Sequence, residues 1–257
     1  TMTVGLPRNC TKADRHLQRG FIMRISPKIS GIILCLLVIF SSPVQAAGNI
    51  QYYSPSQSFG EIIRQEGDKL YLSKEWYGSR FEINPVNVKS GLPMKPPERE
   101  EYQKALEETV FPLEKLGTYK VYFLNYRLNQ YPAALALSLR DDSVVVFGSY
   151  YPIGAAKVHY LAVHELGHQV DFKLMDQASW QRYLELRGLS DIQKYNNSSP
   201  VYENRPQEIF AEDFRLLFGG ETARKTPHLN RELPDPGKVT GLKEFFWQLA
   251  AKETAGQ

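Results

Sequence analysis

The chain has 257 residues, 42% of them hydrophobic and 23% charged, with a formal net charge of +3. That length suits one sizeable core or two small ones, and the composition excludes fibrous, collagen-like and broadly disordered chains. The basic excess does not mark a nucleic-acid binder. Taking the six basic residues and Asp14 of the first 47 positions away from the 31 basic and 28 acidic residues of the whole leaves 25 against 27, a net of −2.

Residues 1–22 precede Met23, a candidate initiator, and are read as an upstream extension. Met23, Arg24 and Lys28 form a short basic region, and Ile29–Phe40 is an apolar run of 12 residues followed by Val44-Gln45-Ala46. Basic region, short apolar core and small residues make 23–47 a cleaved secretory signal peptide. A spanning helix needs roughly 18 apolar residues, more than this run offers. Cys10 and Cys35, the two cysteines of the chain, both lie in the leader. The rest therefore cannot use disulfides, which suits bacterial export better than a eukaryotic secretory route. The expected location is extracellular, with no membrane association once the leader is removed.

Residues 48–96 read as a small β-rich segment and linker. Lys69–Ser73 and Ser79–Ile83 alternate like short strands, and Gly91, Pro93, Pro96 and Pro97 mark a long turn. From Pro97 the spacing of Tyr102, Ala105, Leu106, Val110, Leu113 and Leu116 predicts a helix stopped at Gly117. Three β-prone segments follow, 119–126, 134–139 and 144–151, with Asp141-Asp142 as a hairpin signal between the last two. Helices are predicted over about 155–175 and 177–186, a polar loop over 188–206, a helix from Pro206 to Phe218 closed by Gly219-Gly220, and a last helix over about 242–250. The class is α+β.

The chemistry concentrates in two of these helices. His164-Glu165-Leu166-Gly167-His168 is an H-E-x-x-H sequence. Four residues turn a helix by about 400°, so both imidazoles share a face and can grip one Zn²⁺ at roughly 2.0–2.1 Å. Glu165, one residue on, is placed to take a proton from a water and pass it to a leaving amine. The surrounding helix is apolar nearly all round, which predicts burial and makes unpartnered imidazoles costly. A catalytic site needs a third ligand. Positions 171 and 174 are Asp171 and Leu174, which excludes the metzincin continuation. The 206–218 helix offers Glu208 and Glu212 one turn apart on one face, and either could serve; the competing reading pairs Glu212 with Arg215 or Arg205 on a solvated face. Asp171 also lies on the metal face, where it would hold a histidine's free nitrogen or make a helix-surface hydrogen bond. His159 points away from that face, and His228 falls in a polar loop and is read as solvated.

HELGH followed by Pro206-Gln-Glu-Ile-Phe-Ala-Glu-Asp-Phe214, with Glu208 40 residues after His168, resembles the anthrax-lethal-factor-like peptidases, which include secreted Pro-Pro endopeptidases. The resemblance covers roughly residues 100–257 and implies a zincin-like metallopeptidase domain over 97–257. That fold has a small mixed β-sheet, an active-site helix and a helical C-terminal part. It implies Glu208 as the third zinc ligand and Glu212 as the residue supporting the site from the next turn. The family places an oxyanion-stabilising tyrosine seven residues before the ligand glutamate; here that position is Val201, and Tyr202 or Tyr195 is the candidate. The implied activity is zinc-dependent peptide hydrolysis, and the chain is expected to be a monomer. The expected partner is a peptide or protein substrate lying extended along an edge strand, for which 144–151 is the expected strand. Nucleic acid is not an expected partner. The alternative is a secreted module, an adhesin or a decayed toxin domain, with a structural metal or none.

Overall fold

The computed structural model describes residues 50–73, 80–84 and 94–252. The leader and most of the proline-rich turn lie outside the described residues. Among those residues no helix is long and apolar enough to cross a membrane.

Among the described residues, seven α-helices and two small sheets make an α+β arrangement. The first sheet has the order β1-β5-β8-β7, formed by Ile50–Tyr53 (β1), Tyr119–Phe123 (β5), Ser143–Val146 (β8) and Ala136–Leu139 (β7). β1, β5 and β8 are parallel neighbours, and β7 runs antiparallel to β8 with Ser138 opposite Val144. The second sheet is antiparallel throughout: Ile63–Glu66 (β2), Lys69–Leu72 (β3), Glu82–Asn84 (β4) and Arg127–Leu128 (β6).

The first sheet is covered on both faces, and strand alternation sorts its side chains between two cores. Val121, Phe123, Val144 and Val146 face the helices. Tyr122, Val145 and Phe147 face a second core with Ile62, Leu72, Phe81 and Ile83 from the second sheet and the helix before it. Burial on both sides is why Val144-Val145-Val146 is an unbroken apolar run.

The helices are Pro55–Ile62 (α1), Arg99–Glu107 (α2), Ala155–Leu174 (α3), Gln177–Arg187 (α4), Pro206–Phe218 (α5), Glu221–Arg224 (α6) and Leu242–Ala251 (α7). α3 is the central one, buried along most of its length. Gln169 anchors it to the β7–β8 hairpin by donating from Nε2 to the carbonyls of Leu139 (3.1 Å) and Ser143 (3.2 Å). α4 is capped by Asp176, which accepts from the Ser179 amide, and ends at Gly188 with φ 66°.

Three expectations need correction. The 48–96 segment contains a helix, α1, besides its strands: Pro55 suits a first turn, and the Gln57 side chain accepts from the Ser54 amide. The helix from Pro97 stops at Glu107. The Val110 amide bonds to the Phe218 carbonyl instead, Pro112 disfavours helix at the residue before it, and Leu113–Leu116 is a separate 3-10 turn. Leu113 and Leu116 still enter the same core, so the apolar spacing outlasts the helix. Finally, 144–151 is not the edge strand. β8 is hydrogen-bonded on both sides, and the edges belong to β1 and, next to β8, β7. Sequence order gave no sign of this, because β8 returns past β7 to pair with β5.

Candidate metal centre

α3 and α5 cross where Gly167 meets Ala211. A Cβ added at Gly167 would lie 2.8 Å from the Ala211 Cα and 3.0 Å from its carbonyl oxygen. Only glycine permits this backbone-to-backbone approach. Ile209, Phe210, Phe214 and Phe218 seat α5 in the main core beside Val158, Val163, Leu166 and Val170 of α3. The polar faces of the two helices are thereby turned on each other.

At that crossing the Glu208 Oε2 lies 3.2 Å from His164 Nε2 and 3.4 Å from His168 Nε2. One donor atom from each of the three residues falls within 4.8 Å of the others, so the group could hold a metal ion. The histidine rings stand edge to face, 4.9 Å apart at 85°. His164 Nδ1 is 2.9 Å from Glu212 Oε1. With Nδ1–H donating to that carboxylate, a neutral His164 keeps its lone pair at Nε2, facing Glu208 and His168.

Glu212 is held from several sides. Arg215 donates from Nε (3.1 Å) and Nη2 (2.8 Å), and the Leu229 amide donates at 3.0 Å. Arg215 is itself fully buried and donates to the Ala223 carbonyl. Both pairings weighed for Glu212 thus coexist, on the histidine and on Arg215, and the face is buried and not solvated.

The charge balance is set by these contacts. Burial alone would raise the Glu208 carboxyl, but the His168 charge and bonds from both histidines hold it far below the usual carboxylate range. Glu212 is lowered likewise by His164 and Arg215 against its burial. Burial would lower the His164 imidazole, yet its bonds to Glu208 and Glu212 prevail and raise it to about 10. His168 is also raised, by Glu208 against burial. Without a cation, then, the cluster is an imidazolium–carboxylate assembly.

Glu165 is buried, and its Oε2 accepts from Ser138 Oγ at 2.7 Å. It is near enough to His164 and His168 for its charge to raise both. Tyr202 lies in a 3-10 turn just before α5, and its hydroxyl donates to Glu208 Oε2. Although the residue is half exposed, desolvation of its hydroxyl against Glu208, then the Glu208 charge, keeps its phenol protonated well above the ordinary range. Tyr195 instead packs against the main core near Trp180, Pro206 and Gln207.

The remaining candidates fall partly as expected and partly not. Asp171 is buried but accepts from Trp180 Nε1 (3.1 Å), not from a histidine. His159 points away as expected, with Nε2 2.6 Å from Glu101 Oε1. His228 is buried, not solvated: its Nε2 lies 3.2 Å from the fully buried Asp213, and its Nδ1 accepts from the Asn230 amide. Sequence reading passed over Tyr160, whose ring stacks on His164 (5.6 Å, 12°) beneath the Arg215 guanidinium. Its position one helical turn before His164 was the available signal. Ser138 carried none, because it reaches the site from another element.

Compared with family models, characterised proteins and solved structures, the chain shows no match.

Proposed function

We propose that this chain is a secreted zinc metalloendopeptidase of the lethal-factor-like, zincin type, with His164, His168 and Glu208 as ligands. The observation that carries the reading is the convergence of two imidazole nitrogens and one carboxylate oxygen from helices 40 residues apart, at separations of 3.2 and 3.4 Å. Ligand bonds of roughly 2.0–2.1 Å in a tetrahedron put ligand atoms about 3.3 Å apart, so the donor set fits Zn²⁺. Three protein ligands also leave a position open, as catalytic sites require. Bound there, zinc supplies Lewis-acid polarisation of a carbonyl and an acidified water.

The remaining work falls to the chain. Glu165 takes a proton from the attacking water at its carboxylate and returns it to the departing amine. Tyr202, kept protonated beside Glu208, donates from Oη to the oxyanion that develops at the scissile carbonyl. Glu212 fixes the His164 ring and its tautomer. The free edge of β7 offers backbone groups for an extended peptide. The basic, apolar and small-residue pattern of 23–47 supports export of the enzyme.

The test is zinc analysis of the purified protein together with cleavage of a broad peptide library. One tightly held zinc per chain and cleavage products are expected. Glu165→Gln should retain zinc while turnover falls by about 10²–10⁴, and Glu208→Ala should lose the metal. Full turnover in Glu165→Gln would sink the mechanism. A zinc-loaded protein that cleaves nothing would make this a non-catalytic module.

A further inference from the structure

Ser138 sits where the two halves of this proposed site meet. It lies on β7, the edge strand beside the histidine helix, and is buried. Its hydroxyl is 2.7 Å from Glu165 Oε2 and 3.0 Å from the Glu165 carbonyl oxygen. A hydroxyl has one proton, and the carboxylate oxygen lies at the shorter distance, so the bond goes to Oε2. This is the hydrogen bond from another element that holds the carboxylate of the proposed general base.

The backbone of Ser138 faces the other way. In the β7–β8 pair the Phe147 amide bonds to the Leu135 carbonyl, and the register runs Ala136 to Val146, Leu137 to Val145, Ser138 to Val144. In an antiparallel ladder, residues alternate between those bonded to the partner strand and those whose amide and carbonyl point outward. Leu135, Leu137 and Leu139 therefore bond to β8. Ala136 and Ser138 present their amide and carbonyl groups to the free edge.

We infer that Ser138 is a positioning residue: its backbone registers the peptide on the β7 edge while its hydroxyl sets the Glu165 carboxylate against that peptide's scissile bond. The inference rests on the peptidase reading given above. It assigns to one residue the fixed relation between where the substrate lies and where the base stands. Misplacement of a catalytic group by about 1 Å can cost as much as 100-fold in rate. Removing the hydroxyl should leave peptide pairing intact, because the backbone donor and acceptor remain.

The experiment compares the full chain with Ser138→Ala, and with Ser138→Thr and Ser138→Val as an isosteric pair differing only in the hydroxyl. Zinc content, kcat and KM are measured on a peptide the parent cleaves. Ser138→Ala is expected to keep full zinc and a KM within about threefold of the parent while kcat falls about 10- to 100-fold. Should Ser138→Ala not fold, Ser138→Thr should exceed Ser138→Val in kcat by at least about tenfold. A kcat for Ser138→Ala within about twofold of the parent, or equal values for the isosteric pair, overturns the role. If the zinc-loaded parent cleaves no peptide, the peptidase reading fails separately. Crystal structures of the parent and Ser138→Ala then decide whether Ser138 sets the carboxylate: a displaced Glu165 side chain supports it, and an unmoved one overturns it.

Discussion

Glu208, Glu212 and Asp171 are carboxylates of α3 and α5 whose neighbours give them different work. Among the described residues, Glu208 has the two imidazoles and the Tyr202 hydroxyl around its Oε2 and no Lys or Arg bridge, so it is left to serve a cation. Glu212 is saturated by His164, Arg215 and the Leu229 amide, which keeps it from competing as a ligand. Asp171 is the poorly served one. Trp180 donates to its Oδ1, while the buried Oδ2 has no hydrogen-bond partner among the described residues. Burial raises its carboxyl from 3.8 to about 6, against lowering by His168 and Arg140. A carboxyl raised in the folded state adds stability in full below its unfolded value, and that stability is lost as pH climbs through about 6. The raised value corresponds to ~3 kcal/mol at neutral pH. Asp171→Asn keeps an acceptor for Trp180 and removes the charge. In metal-free protein the variant should be ~2–3 kcal/mol more stable than the parent at about pH 8, with the gain vanishing below about pH 4. Urea unfolding at the two pH values measures it. Equal stability at the higher pH would mean that the burial cost is offset by a partner other than Trp180.

The element on which the site depends is the α3–α5 crossing, and Gly167 controls it. A methyl there would meet the Ala211 backbone at 2.8 Å, and backbone cannot turn aside as a side chain can. Gly167→Ala gains up to about 1 kcal/mol in helix propensity but incurs ~1–3 kcal/mol of overpacking as α5 shifts. Since Glu208 rides on α5, zinc affinity should fall at least tenfold, on the order of 1.4 kcal/mol, by competition against a chelating dye. Unchanged affinity would show that α5 does not set the Glu208 position. At this scale the sequence was informative where the signals were local. The helices that became α3, α4, α5 and α7 were readable from apolar spacing, and His164, His168, Glu208 and Glu212 from their one-turn spacing. Nonlocal pairing was not readable. The position of β8 inside the sheet, the bond from Ser138 to Glu165 and the burial of His228 against Asp213 each depend on an element distant in sequence. The end of α2 was hidden because its apolar spacing continues into a turn that feeds the same core.

For the molecule as a whole, the proposed metal would act as the cross-link that disulfides cannot supply, since Cys10 and Cys35 both precede the described residues. It would join α3 to α5 in the folded state only, so zinc at about 100 times its dissociation constant should add ~2.7 kcal/mol. For a fold of this size that is a rise in Tm of about 5–11 °C. The size of the rise should itself depend on pH. In metal-free protein Glu208 and Glu212 keep His164 protonated, its imidazole raised from 6.5 to about 10. That ion cluster stabilises the metal-free fold in full below pH 6.5 and is lost as pH rises through about 10. Binding, in turn, requires the proton to leave, so affinity grows with pH over the same interval. The two are one proton seen from two sides: rising pH weakens the empty protein, while the loaded protein, whose His164 carries no proton, is spared that loss. The gap in Tm between zinc-saturated and chelator-treated protein should therefore widen from about pH 6 to about pH 8, which scanning calorimetry measures. A gap that is constant or narrows with pH would mean that no proton leaves the cluster on metal uptake, and His164 could not then be a ligand.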